Sequence, residues 1–156
     1  MVPRDGNSDV ITAWHCHLYG LVWHRQIRDA SGGIGFEKHV IMPANPDLNA
    51  PGVRVSQLHA FDLVDMNGDG LKDVLTGKRF WAHGPNGDKE PNAPAVVYWF
   101  QLTRNADGSA QFIPHRIDDD SGVGTQVAAA DLNADGTPDV VVGNKKGTFV
   151  FLSINR

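Results

Sequence analysis

Two short stretches of this 156-residue chain carry oxygen-bearing side chains at alternate positions and close on a further aspartate. These are Asp65, Asn67, Asp69 and Asp73 in one, and Asp131, Asn133, Asp135 and Asp139 in the other. A glycine, Gly70 or Gly136, follows the third of them. The second half of the pattern also opens the chain, as Asp5, Gly6, Asn7 and Asp9. Oxygens at positions 1, 3, 5 and 9 of such a loop fold around a cation, with the position-7 carbonyl facing inward and glycine at position 6 for the sharp turn. Every side-chain donor is a carboxylate or an amide, so a hard cation is expected. Calcium suits a flexible cage of ~6–8 oxygens better than magnesium does. Three carboxylates in so small a volume repel one another without an ion, so metal binding should couple to local folding.

Other residue groups carry weaker chemistry. An EF-hand needs a bidentate glutamate at position 12 and flanking helices, whereas position 12 is Thr76 or Val142 and the loops run into valine-rich segments. His15-Cys16-His17 has soft-metal character, but read as a strand it sends Cys16 to the face opposite both histidines. Ser56, His59 and Asp62 are close in sequence, which is not the geometry of a nucleophile triad. Asp118, Asp119 and Asp120 lack alternate spacing and read as a solvated turn. Trp23 and Trp99 sit in strand-like runs and read as core. Trp81 and His83, with Asp88, fall in a Gly/Pro-rich loop and could form a ligand-binding rim site, for instance for a sugar ring. Nucleophile-elbow, metalloprotease, Walker and Cys-x-x-Cys motifs are absent, and a non-enzymatic role is expected.

The elements that must hold the loops read as β-strands. Each acidic stretch leads into Asp9-Val-Ile-Thr12, Asp73-Val-Leu-Thr-Gly77 or Asp139-Val-Val-Val-Gly143. Further on, Leu21–Ile27 parallels Val96–Leu102 with Trp23 opposite Tyr98, and each is followed by a glycine-containing turn and a strand beginning at Phe36 or Phe112. A last strand-like segment, Val55–Phe61 or Thr125–Ala129, leads back to the next acidic loop. Four strands per unit is the make-up of a propeller blade. Asp5, Asp69 and Asp135 lie 64 and 66 residues apart, giving units 1–64, 65–130 and 131–156, the first truncated at its start and the last at its end. Measured from Asp73 to Tyr98, the middle unit carries an insertion of 11 residues within Lys78–Pro94. No segment sustains an apolar helical period. The expected fold is all-β: a partial propeller of four-stranded antiparallel blades, about two and a half in number.

Composition bounds the function. With 41% hydrophobic residues and 17 glycines the chain can bury a modest β-rich core. A net charge of −4, with no basic stripe, argues against a general nucleic-acid or anionic-membrane partner. No apolar run has transmembrane length, and residues 1–5 lack a signal-peptide core. The lone Cys16 leaves the redox compartment open, but loops of this kind fill most readily where calcium is abundant. An extracellular, cell-surface or periplasmic location is therefore expected.

The phrase Asp-x-Asn-x-Asp-Gly-x-x-Asp-Val, followed by apolar residues and glycine, resembles the FG-GAP/VCBS repeats of bacterial surface proteins and integrin α-subunit propellers. The resemblance covers most of the chain. It implies calcium ligands Asp65, Asn67, Asp69 and Asp73 with the Leu71 carbonyl, and Asp131, Asn133, Asp135 and Asp139 with the Thr137 carbonyl. The first copy departs from the pattern, since positions 1 and 3 fall on Met1 and Pro3 and leave Asp5, Asp9 and the Asn7 carbonyl. It also implies a binding or adhesion module with a protein or glycan partner, or an accessory or glycan-binding blade set attached to an enzyme. A closed ring needs ~4–8 blades. The remaining blades would come from sequence upstream or from other copies of the chain, or the array would stay open with exposed blade edges.

Overall fold

The computed structural model describes residues 6–49, 53–107 and 109–154, so Asp5 lies outside the described residues. Ten strands follow one another: β1 (Val10–Ala13), β2 (Leu21–Arg28), β3 (Ile34–Met42), β4 (Leu58–Val64), β5 (Asp73–Lys78), β6 (Val97–Arg104), β7 (Ala110–Asp118), β8 (Val127–Ala130), β9 (Asp139–Asn144) and β10 (Gly147–Phe151). Among the described residues the single helical element is a 3₁₀ turn at Pro46–Leu48. Among the described residues no helix is long and apolar enough to cross a membrane.

The strands form three antiparallel sheets, β1-β2-β3, β4-β5-β6-β7 and β8-β9-β10. The fold is thus the all-β partial propeller expected, with a complete four-stranded blade in the middle. Each acidic loop joins the first and second strands of a blade, as β4 to β5 and β8 to β9 do. The first sheet supplies counterparts of the last three strands of the middle blade, and the third sheet counterparts of its first three.

Side chains alternate across the middle blade, because successive residues of a strand point to opposite faces. Val74, Tyr98 and Phe100 pack with Leu21, Met42 and Val55 toward the first sheet. Leu75 and Val97 pack with Val127, Val140 and Val142 toward the third. With both faces covered, every residue of β5 is buried, and each fully buried leucine or valine contributes roughly 1.5–3 kcal/mol. A carboxylate ties neighbouring blades together: Asp62 Oδ2 of β4 accepts from the Ala129 N–H of β8.

Two sequence expectations need correction. Val10 pairs with His24 and Val74 with Phe100, so Trp23 corresponds to Trp99, one residue beyond the expected Tyr98. The stacking agrees: His39 lies on Trp23 and His115 on Trp99, with ring centroids 4.5 and 4.3 Å apart. A one-residue slip exchanges faces, so the offset decides which aromatic meets which blade. Secondly, residues 14–18 form a turn and not a strand, with the Leu18 N–H donating to the His15 carbonyl. The alternation that would separate Cys16 from His17 therefore does not apply.

Candidate metal-binding loops

The two complete acidic loops are wired almost identically. In the first, Asp65 Oδ1 accepts from the Gly68 and Asp69 amides and Oδ2 from the Gly70 amide. Asn67 Oδ1 accepts from the Asp69 N–H, and Asp69 Oδ1 from the Leu71 N–H. In the second, Asp131 accepts from the Asp135 and Gly136 amides, Asn133 from Asp135, and Asp135 from Thr137. Such self-bonding turns are what Asp and Asn favour. Gly70 and Gly136 sit at φ 84° and 87°, a conformation costly for other residues. Position 4 differs, being Gly68 at φ 76° in one loop and Ala134 at φ 62° in the other.

The ninth residue behaves unlike the rest. Asp73 and Asp139 are fully buried. Asp73 Oδ2 accepts from the Met66 N–H at 3.0 Å and Oδ1 from the Leu102 N–H at 2.8 Å, joining the loop to strand β6. Asp139 repeats this with Leu132 and Ser153. Burial pushes the Asp73 carboxyl above its ordinary range, opposed by the Leu102 and Met66 amides and reinforced by the Asp69 and Asp65 charges. Asp135 is held low by the hydroxyl and amide of Thr137 and by Asn133. The half copy has the bond to the neighbouring strand: Asp9 Oδ1 accepts from the Gln26 N–H, and Oδ2 takes the Trp23 indole N–H. Asn7 Oδ1 accepts from Arg28 Nε.

Asp65, Asn67 and Asp69 are thus drawn together at the loop, as are Asp131, Asn133 and Asp135, while Asp73 and Asp139 turn toward the sheet. The three carboxylates of either loop do not converge within 4.8 Å of one another. The donor set of carboxylate and amide oxygens fits a hard cation, and a carboxylate oxygen that accepts one N–H keeps a second lone pair. Leu71 and Thr137 are half-buried, with their amides on Asp69 and Asp135. An open cleft of about 650 Å³ separates the loops, bordered by Asp65, Asn67, Asp131 and Thr137 with Trp99 beneath.

Trp81 and His83 occupy the insertion between β5 and β6. The Trp81 indole lies flat on Phe80, with centroids 4.7 Å apart, and its N–H donates to Asn92 Oδ1. His83 bonds Asp88. Ser56, His59 and Asp62 form no triad: Ser56 donates to the Lys89 carbonyl, while Asp62 accepts from the Leu63 and Ala129 amides. Asp118 caps a turn through the Asp120 and Ser121 amides.

All-β blades joined by such loops define a propeller-type repeat module. The family model described as FG-GAP-like repeat matches residues 65–142, which include both complete loops, and the chain belongs to that family. No curated protein and no solved structure matches the chain.

Proposed function

We propose that the chain is a calcium-stabilised, non-catalytic binding or adhesion module of an exported protein. The observation that carries this reading is the duplicated loop, in which two sets of Asp and Asn side chains 66 residues apart adopt the same internal bonding and the same buried bracket to the blade. Asp65, Asn67, Asp69 and Asp73 with the Leu71 carbonyl would hold one ion; Asp131, Asn133, Asp135 and Asp139 with the Thr137 carbonyl would hold the other. Calcium, when bound, supplies positive charge to carboxylates that otherwise repel. The chain's own part is to fix the loop to β5 and β6 through Asp73, so that the loop and the sheet order together. A half loop at Asn7 and Asp9 keeps the blade bracket, while its metal capacity rests on Asp5 as well. A protein or glycan partner would dock on the loops at the blade ends.

The test is thermal melting of the chain with millimolar calcium and then with chelator. Saturated loops should raise the midpoint by roughly 5–10 °C. Asp69→Ala should remove part of that shift. Identical melting curves in calcium and chelator would remove the mechanism.

A further inference from the structure

The blade ends opposite the acidic loops gather a second set of chemically capable side chains. Cys16 and His17 lie in the turn between β1 and β2, His59 is the second residue of β4, and His83 and Asp88 come from the insertion between β5 and β6. Asp88 is the hub, with one carboxylate oxygen 3.0 Å from His17 Nδ1 and the other 2.9 Å from His83 Nδ1. The His17 ring lies 4.6 Å from the rings of both His59 and His83. Ligand atoms of His17, His83 and Asp88 all fall within 4.8 Å of one another, and so do those of Cys16, His17 and His59.

Structural bonding alone leaves much of this arrangement without a purpose. The buried Nε2 of His59 has no hydrogen-bond partner among the described residues. The Asp88 side chain is only 9% exposed, and its carboxylate faces both the His17 and His83 rings and accepts from the His83 amide. Asp88 is also strained, at φ 61°, and four of the five described non-glycine residues with positive φ lie in this region: Gln57, Trp81, Asp88 and Glu90. Strain of this kind persists where the surroundings over-determine it, and it gathers at functional sites. The surroundings here do so, since Ser56 Oγ and Gln57 Nε2 both donate to the Lys89 carbonyl beside Asp88.

We propose that His17, His83 and Asp88 bind a divalent metal ion of the zinc class, at the blade ends remote from the acidic loops. Two imidazoles and a carboxylate are borderline donors that suit zinc and its neighbours and not calcium. Around a tetrahedral ion with bonds of ~2.0–2.2 Å, adjacent ligand atoms stand ~3.3–3.5 Å apart, so the present nitrogen-to-oxygen separations need open only slightly. Three protein ligands leave a fourth position for water or a bound molecule, the arrangement of reactive rather than purely structural zinc sites. His59 and Cys16 border the site through His17.

Calorimetric titration of the calcium-saturated full chain with zinc tests this, because the acidic loops are then filled. One zinc per chain is expected, with affinity weakened at least tenfold by His83→Ala and by Asp88→Asn, and unchanged by Asp69→Ala or Cys16→Ser. The His83 side chain is 62% exposed, so its removal leaves the fold intact, which circular dichroism checks. Asparagine tolerates positive φ and preserves the backbone at position 88. Cobalt(II) in the same site should absorb in the visible range without a thiolate charge-transfer band. Absence of zinc binding, binding that survives both substitutions, binding lost in Asp69→Ala, or a thiolate band marking Cys16 as a ligand would each overturn the assignment.

Discussion

The middle blade and the first blade use the same aspartate for different amounts of work. Asp73 is fully buried and brackets two main-chain amides, one in its own loop and one in β6. Asp9 is half-buried, holds the equivalent β2 amide at Gln26, and spends its second oxygen on the Trp23 indole. A main-chain bond at or beside the third strand is common to all three copies, Asp139 making it to Ser153, two residues past the end of β10. Asp73 and Asp139 each add a bond to their own loop, at Met66 and Leu132. The ninth residue therefore belongs to the sheet as much as to the loop.

The largest effect that probes this contrast is calcium removal. At calcium a hundredfold above Kd, each filled loop adds about 2.7 kcal/mol. Urea titrations in chelator should lose that contribution, and Asp65→Ala or Asp131→Ala should each delete one of two calcium equivalents. Next comes Asp73→Ala, which strands the Met66 and Leu102 amides at about 1–3 kcal/mol each, whereas Asp9→Ala should cost about 1–2 kcal/mol in all. Equal losses would break the distinction between the two blades. Smaller still is the exchange at position 4. Gly68→Ala should destabilise by about 1 kcal/mol and Ala134→Gly should stabilise by a similar amount, because an added Cβ at Gly68 meets nothing within 4 Å and the backbone angle alone decides. The last is read at alkaline pH. Burial, aided by Glu90, pushes the Tyr19 phenol up to about 12, and burial raises Tyr98 as well. Neutral phenol is favoured in the fold, so this contribution is intact below ~10 and is lost as pH climbs through about 12 for Tyr19. Phenolate absorbance should show both tyrosines ionising late, and a normal titration would show that neither is shielded.

The loops and hairpins are legible in the sequence because their chemistry sits in consecutive residues: Asp65 to Asp73 bond one another, and period-2 alternation marks the strands. The bracket is not legible, since Asp73 meets an amide 29 positions later. The pairing of Trp23 with Trp99 also escapes sequence alignment, because the aromatic run Tyr98-Trp-Phe100 offers several equally apolar registers and only the ladder of β5 with β6 selects one. The histidine cluster was hidden more deeply. Its members come from three separate segments, and a turn at residues 14–18 replaces the strand that the flanking pattern suggests. His83 and Asp88 could be named as rim residues, but their neighbour His17 could not.

The insertion between β5 and β6 is gripped in part through its own backbone. Ser56 and Gln57 bond the Lys89 carbonyl, Lys78 the Pro91 carbonyl and Lys145 the Trp81 carbonyl, while Gln57 Oε1 accepts from the Ala82 amide. A clasp of this kind is blind to which side chains the segment carries. Apart from Trp81, Asp88, Glu90 and Asn92, whose side chains or backbone angles also hold the segment, surface residues along it can be exchanged, over evolutionary time or in the laboratory, with its shape kept, so the blade offers a mount on which new recognition surfaces can be written.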